Sequence, residues 1–273
     1  MILAAPSALR QRVVSGVVLV GVALAGLFSG REVFEIMLAL GGAVLAWEWT
    51  RLVSGGRFGS TGFAVAAAAL AAGAAAAVAR PGIGLALCGV GAAVVYVFAS
   101  TGGRDHPKWL AAGPVYIGAP IVALIWLRGD DAAGLETILW LMACVWATDT
   151  GAYFFGRAIG GPKLAPAFSP NKTWAGLFGG MACSAGVAVP AVWLVPAGPP
   201  AMALAVAGAA IAVVAQAGDL LESFVKRRFG AKDSGTLIPG HGGLFDRVDG
   251  LLTAAVAMAL FQWTTDARIL FWP

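Results

Sequence analysis

The chain has 273 residues, 59% of them hydrophobic and 12% charged, with a formal net charge of +4. Ordinary soluble domains carry about 25% charged residues. A chain this poor in charge cannot cover itself with polar surface, so its solvent is lipid and a soluble enzyme or soluble binding module is excluded. A net charge this small is poor ground for a nucleic-acid partner, and none is expected.

A helix needs about 20 apolar residues to cross a bilayer. Runs of that kind predict nine spans, at roughly 12–30, 33–53, 62–80, 82–100, 109–127, 135–156, 174–195, 200–225 and 250–266. Helices satisfy their own backbone in lipid, so the expected fold is all-α: a polytopic membrane helix bundle of about nine spans, in a single integral membrane domain over 1–273. Residues 1–130 read as scaffold and 131–273 as the part that carries chemistry. With the N-terminus on the cytoplasmic side, the inner segments hold 14 of the 18 Lys and Arg, and the outer side holds only Arg31, Arg80, Arg128 and Arg268. That is the positive-inside bias, and it turns the basic segments toward anionic headgroups of the inner membrane. Arg10 and Arg12 precede the first run as in a signal peptide, but the run is long and a second follows at once, so it reads as a retained span.

In the first half, charges lie at span ends. Glu48, in "WEW", is the main exception and is expected as an interfacial carboxylate near Arg51. Cys88, Cys144 and Cys183 fall inside spans without paired spacing, so buried thiols are expected rather than disulfides or a zinc site. The stretch "VPAGPP", 195–200, reads as a short outer turn.

From Asp149 onward, ionisable residues enter the helices. In "WATDTGAYFFGRAIGG", 146–161, Asp149 lies about two turns before Arg157, among Trp146, Tyr153, Phe154 and Phe155. A carboxylate at that depth is costly unless it is paired or bound to a cation; a hydrogen bond to another helix and a functional ligand both answer. In "KLAPAFSPNKTWAG", 163–176, Ser169, Asn171, Lys172 and Thr173 gather donors in a loop where a helix begins. That suits a phosphate, although Ser-Pro-Asn is also an ordinary turn and cap.

The third group is the densest. Between Lys226 and Asp249 lies a quarter of all charged residues, in under a tenth of the length. Asp219, Glu222, Ser223 and Lys226 stand at i, i+3, i+4 and i+7, on one helical face. Asp246 and Asp249 are again i and i+3, with Arg247 between them. Carboxylates from two helices are what an oxygen-loving cation such as Mg²⁺ requires, and a second cation is conceivable. Lys226, Arg227, Arg228 and Lys232 offer countercharge for phosphates. Gly240, Gly242 and Gly243 of "PGHGG" expose backbone N–H groups, and His241 serves as a phosphate donor, a proton carrier or a plain loop hydrogen bond.

The chain lacks G-x-x-x-x-G-K-[ST], H-E-x-x-H and G-x-S-x-G, which removes a P-loop, a zinc protease and a lipase elbow. Asp249-Gly250 is followed by "LLTAA", without the arginine of enzymes that consume CDP-alcohols. The stretch "SFVKRRFGAKDSGTLIPGHGGLFDRVD", 223–249, resembles the signature of the phosphatidate cytidylyltransferases, or CDP-diacylglycerol synthases, with every fixed polar position present. "SPNKTWAG" is similar to that family's S-P-x-K-T-x-E-G, with Ala175 in place of the glutamate, and Asp149 with Tyr153 resembles its inner aspartate segment. A missing carboxylate at 175 leaves either a replacement acid or an outer-sphere role for that position.

The resemblance implies an enzyme that joins CTP and phosphatidate of the inner leaflet, releasing pyrophosphate, with Mg²⁺ as cofactor and a cytoplasm-facing site. On this reading Asp219, Asp246 and Asp249 bind metal, with Asp149 as a further ligand or supporting acid. Lys226 and His241 join the aspartates as catalytic groups. Ser169, Lys172, Ser223, Arg227, Lys232, Asp233, Gly242, Gly243 and Arg247 bind substrate. A cation transporter and a membrane lipid-alcohol kinase share parts of this constellation and are separated by their products. A homodimer suits a Gly- and Ala-rich bundle, but "GLFGG", 176–180, serves equally to pack helices within one chain.

Overall fold

The computed structural model describes residues 8–129, 132–193, 195 and 198–271. Each expected apolar run is a helix: α1 Ala8–Phe28, α2 Arg31–Val53, α3 Gly59–Ala77, α4 Pro81–Thr101, α5 Pro107–Arg128, α6 Ala132–Ile159, α7 Trp174–Ala188, α8 Ala201–Arg228 and α9 Phe245–Thr265. Among the described residues, α2 to α8 are long and apolar enough to cross a membrane, α7 with the turn that follows it. The apolar stretch of α1, Val13–Phe28, is shorter. In α9, Asp249 at one end and Gln262, Thr264 and Thr265 at the other dilute the apolar run. Apolar side chains such as Val17, Leu40, Phe178 and Trp263 point outward, as lipid solvent requires.

Two details depart from the sequence reading. The seventh run does not stay α-helical to residue 195: it tightens into a 3₁₀ turn, Val189–Trp193, at Pro190, whose missing N–H breaks the ladder. Of the turn expected at 195–200, positions 196 and 197 lie outside the described residues. The segment expected as a loop before α7 is a β-hairpin, with β1 Lys163–Ala165 antiparallel to β2 Ser169–Thr173.

Two apolar cores run through the bundle. One joins α1, α2, α5 and α6 to α8 and α9 through Leu27, Phe34, Leu127, Leu141, Leu204 and Met258. The other fills α2 to α5 and reaches α8 and α9 through Leu45, Trp49, Val65, Ile117, Val225 and Phe245. Cys88 and Cys144 are buried free thiols in these cores, and Cys183 is a free, half-buried thiol of α7.

Where chemistry-bearing helices meet, glycine brings backbones together. A Cβ on Gly176 would sit 2.9 Å from the Ala152 carbonyl, and one on Gly180 would sit 2.9 Å from the Thr148 carbonyl. The "GLFGG" stretch therefore packs α7 on α6 within the chain. On α8, a Cβ at Gly218 would overlap Thr253 Oγ1 of α9 and stand 2.9 Å from the Asp249 carbonyl. Gly218 thus sets the α8–α9 distance beside Asp219. Gly218→Ala is expected to cost about 1–3 kcal/mol through overpacking, read as a lower melting midpoint in detergent. An unchanged midpoint would show that the helices can separate freely here.

Candidate active site

The candidate site is built at the end of the bundle where α8 finishes, α9 begins and the hairpin docks. Asp219 and Glu222, one turn apart on α8, meet Asp249, one turn into α9. One carboxylate oxygen from each lies within 4.8 Å of the other two. Glu222 is 3% exposed, and its Oε1 has no hydrogen-bond partner among the described residues. Asp249 accepts from the N–H of Gly250 at 2.7 Å. Asp149 is reached by solvent yet densely surrounded by protein, as in a cleft, and feels the charges of Asp219, Lys172 and Arg247. Three carboxylates with a free buried oxygen form a hard, oxygen-only donor set that fits a divalent cation.

Two lysines flank this set. Lys172 Nζ lies 2.5 Å from Asp219 Oδ2 and donates to Gln216 Oε1 at 3.0 Å. It is carried there by β2, whose last residue, Thr173, caps α7 by accepting from the N–H of Gly176 at 3.0 Å. The hairpin is fixed to α8 by Phe168 against Phe224, with centroids 5.2 Å apart, and by Arg227 Nε donating to the Phe168 carbonyl at 3.3 Å. On the other side, Lys226 Nζ lies 2.5 Å from Glu222 Oε2 and 2.5 Å from Asp246 Oδ1.

Asp246 is placed differently from its expected partners Asp219 and Asp249. Its Oδ1 takes Lys226, and its Oδ2 accepts from the N–H groups of Ser234 and Gly243, each at 2.8 Å. With both oxygens engaged, it shapes the Gly-rich loop and is not part of the three-carboxylate group.

Glu48 contradicts its expected place at the interface. It is 1% exposed and turned inward, where Oε1 accepts from the N–H of Leu244 at 2.7 Å and Oε2 from that of Phe245 at 2.8 Å. The hydroxyl of Ser234 lies 3.2 Å from Glu48 Oε2 and 2.9 Å from Asp246 Oδ2, and its single proton serves one at a time. Glu48 therefore ends α9 from another helix, filling the two first N–H positions that no local side chain caps. Arg51 meanwhile lies over the Trp47 ring at 4.6 Å and donates to the Gly56 carbonyl. Gly243 is needed where Glu48 presses on the loop, since a Cβ there would sit 2.6 Å from Glu48 Oε1.

The remaining expected residues line the rim. Ser223 Oγ donates to Asp219 Oδ1 at 3.3 Å. Arg227, Lys232, Asp233 and Arg247 are exposed, and Ser169 is half-buried in β2. Gly242 has a left-handed φ of 83°, and a Cβ there would stand 2.7 Å from Asp246 Oδ2. His241 Nδ1 lies 2.6 Å from Ser15 Oγ of α1. Sequence reasoning left Glu222 out of the site although it shares the helical face of Asp219, and it missed Ser234, Gln216 and the inward turn of Glu48. For Glu48 the signal was present, as a carboxylate inside an apolar run. A separate cavity of about 610 Å³, lined by Met202, Val206, Ile211, Val214, Met258 and Phe261, is almost wholly apolar and lies along α8 and α9 away from the acids.

Residues 10–265 match the sequence profile described as the Cytidylyltransferase family. The chain is 40% identical over 266 residues to the phosphatidate cytidylyltransferase of Brucella suis biovar 1, covering 93% of each chain. It is 36% identical over 266 residues to that of Pseudomonas aeruginosa, covering 93% of this chain and 97% of the relative. A 42% identical match over 137 residues relates about half of it to the phosphatidate cytidylyltransferase of Staphylococcus haemolyticus.

Glu48→Gln would turn an amide N–H₂ against one of the two helix N–H groups. The expected loss is about 2–5 kcal/mol, seen as a lower melting midpoint and as faster hydrogen exchange at Leu244 and Phe245. A variant that melts and exchanges like the wild type would remove Glu48 from its capping role.

Proposed function

The chain belongs to the phosphatidate cytidylyltransferase family, and on that premise we propose that Asp219, Glu222 and Asp249 hold the divalent cation of its reaction. That reaction transfers the cytidylyl group of CTP to phosphatidate, giving CDP-diacylglycerol and pyrophosphate in phospholipid synthesis. A phosphate oxygen of the lipid bonds to the α-phosphorus of CTP, and the bond from that phosphorus to the bridging oxygen of the pyrophosphate breaks. The ionised lipid phosphate is its own nucleophile, so the protein's work is positioning and charge stabilisation.

The observation that carries the assignment is the convergence of three carboxylates around a buried, unpartnered Glu222 oxygen. The charge balance supports it. Asp219, Glu222, Asp249 and Asp246 face two lysines, Lys172 and Lys226, which leaves two negative charges for one divalent cation. When bound, Mg²⁺ supplies Lewis acidity and a template for phosphate oxygens. Asp149, across the cleft, supports the set as a further acid.

Each basic group has a part by position. Lys172 and Arg247, near Asp149 and Asp219, meet the anionic substrates at the cleft. Arg227 and Lys232 stand exposed around it and attract triphosphate. The His241 imidazole offers a donor to a phosphate, with Ser15 orienting the ring through Nδ1. Asp246 and Glu48 hold that loop and the start of α9 in register. Residues 1–130 act as scaffold and lend Glu48 to the site. The surplus of Lys and Arg in alternate loops supports a cytoplasmic N-terminus and a site on the cytoplasmic side of the inner membrane. There CTP arrives from solution and phosphatidate from the inner leaflet.

The decisive test follows radioactive phosphorus from the α position of CTP into lipid, with phosphatidate and Mg²⁺ in detergent. Wild type is expected to label lipid, and chelation is expected to stop it. Asp249→Asn should fall by about 100-fold or more, the scale of losing a charge-stabilising group at the reacting centre, while keeping the wild-type melting midpoint. Equal labelling by Asp249→Asn would remove that residue from cation binding.

A further inference from the structure

Tyr116 of α5 belongs to no motif, yet its ring is held between two others. It stacks on Phe245 at 5.4 Å with an interplanar angle of 17°, and meets Trp49 at 5.2 Å. Phe245 opens α9, and Asp249 is four residues further on, which puts it on the same helix face one turn along. The phenol oxygen is buried and has no hydrogen-bond partner among the described residues. The charges it feels are those of Asp249, Glu222 and Asp219, the three carboxylates of the candidate cation site.

A buried hydroxyl without a partner destabilises a fold. Phenylalanine would fill the same place between Phe245 and Trp49 without that cost. A structural role therefore explains the ring and leaves the oxygen unexplained. The phenol feels the charges of the three acids yet hydrogen-bonds to none of them, which leaves its proton for an oxygen that enters with a ligand. We propose that Tyr116 is a positioning residue of the active site, whose hydroxyl donates a hydrogen bond to an oxygen carried in with the divalent cation. That oxygen is a cation-bound water or a phosphate oxygen of the nucleotide. The proposal rests on the cation assignment above and extends the site into the scaffold half of the chain.

Tyr116→Phe keeps the ring and both stacks and deletes only the oxygen. In detergent with chelator, its melting midpoint is expected to equal or exceed that of the wild type. Binding of Mn²⁺, read by electron paramagnetic resonance, is expected to weaken about five- to tenfold, the scale of one ordinary net hydrogen bond. Weakening with Mn²⁺ alone assigns the oxygen to water; weakening only when CTP is present assigns it to the nucleotide. Either result supports the proposal. Unchanged Mn²⁺ binding in both arms would overturn it, as would a clear drop in melting midpoint, which would mean that the hydroxyl serves the fold. Asp249→Asn is the control for the cation site. Binding lost in Asp249→Asn but intact in Tyr116→Phe overturns the role of Tyr116 alone. Binding absent from wild type, or unchanged in Asp249→Asn, overturns the cation assignment and the proposal with it.

Discussion

An ammonium group lying 2.5 Å from both Glu222 Oε2 and Asp246 Oδ1 joins two sets of carboxylates that would otherwise repel each other across the α8–α9 seam. On one side of Lys226 is the open set, Asp219, Glu222 and Asp249, with an unpartnered oxygen. On the other is the closed set, Glu48 and Asp246, whose oxygens accept backbone N–H groups of the Gly-rich loop and α9. Burying any of these charges alone costs several kcal/mol, and only mutual pairing makes the cluster tolerable. The stability of the loop and the poise of the open set are therefore one electrostatic problem, solved by one side chain.

On the proposed assignment, the two sets divide the labour between order and chemistry. The closed set is saturated with donors, which fixes geometry and leaves nothing for a ligand. The open set is under-donated, which costs stability but leaves room for a cation and the oxygens it carries. Acids alike in sequence thus separate by what surrounds them: Asp246 and Asp249 are three residues apart on one helix, yet one faces Ser234 and Gly243 and the other faces Asp219 and Glu222.

Much of this was legible in the residues. Apolar runs located the nine helices of the described residues, of which α2 to α8 are long and apolar enough to span, because a helix in lipid must satisfy its backbone within itself. The i, i+3 spacing of Asp219 with Glu222 placed both on one face, as the structure has them. What failed to show were features made by approach in space. Nothing near Glu48 reveals that its partners are the N–H groups of Leu244 and Phe245, and nothing near Tyr116 reveals that its ring stacks on Phe245. The hairpin at 163–173 was read as a loop because its strands are three and five residues long, too short to show alternation. The separation of Asp246 from the other acids depends on how the loop folds back, which helical spacing does not encode.

The bond between Glu48 and the start of α9 also has a consequence for how the protein is made. The acceptor and its donors are 196 and 197 residues apart in the chain. At a synthesis rate of about 5–20 residues per second, roughly ten to forty seconds separate the emergence of α2 from that of α9. Throughout that interval a nascent chain already threaded into the membrane carries a carboxylate whose mates have yet to be translated. Biogenesis of this protein thus includes a waiting period, in which Glu48 is without the backbone donors that hold it in the folded bundle.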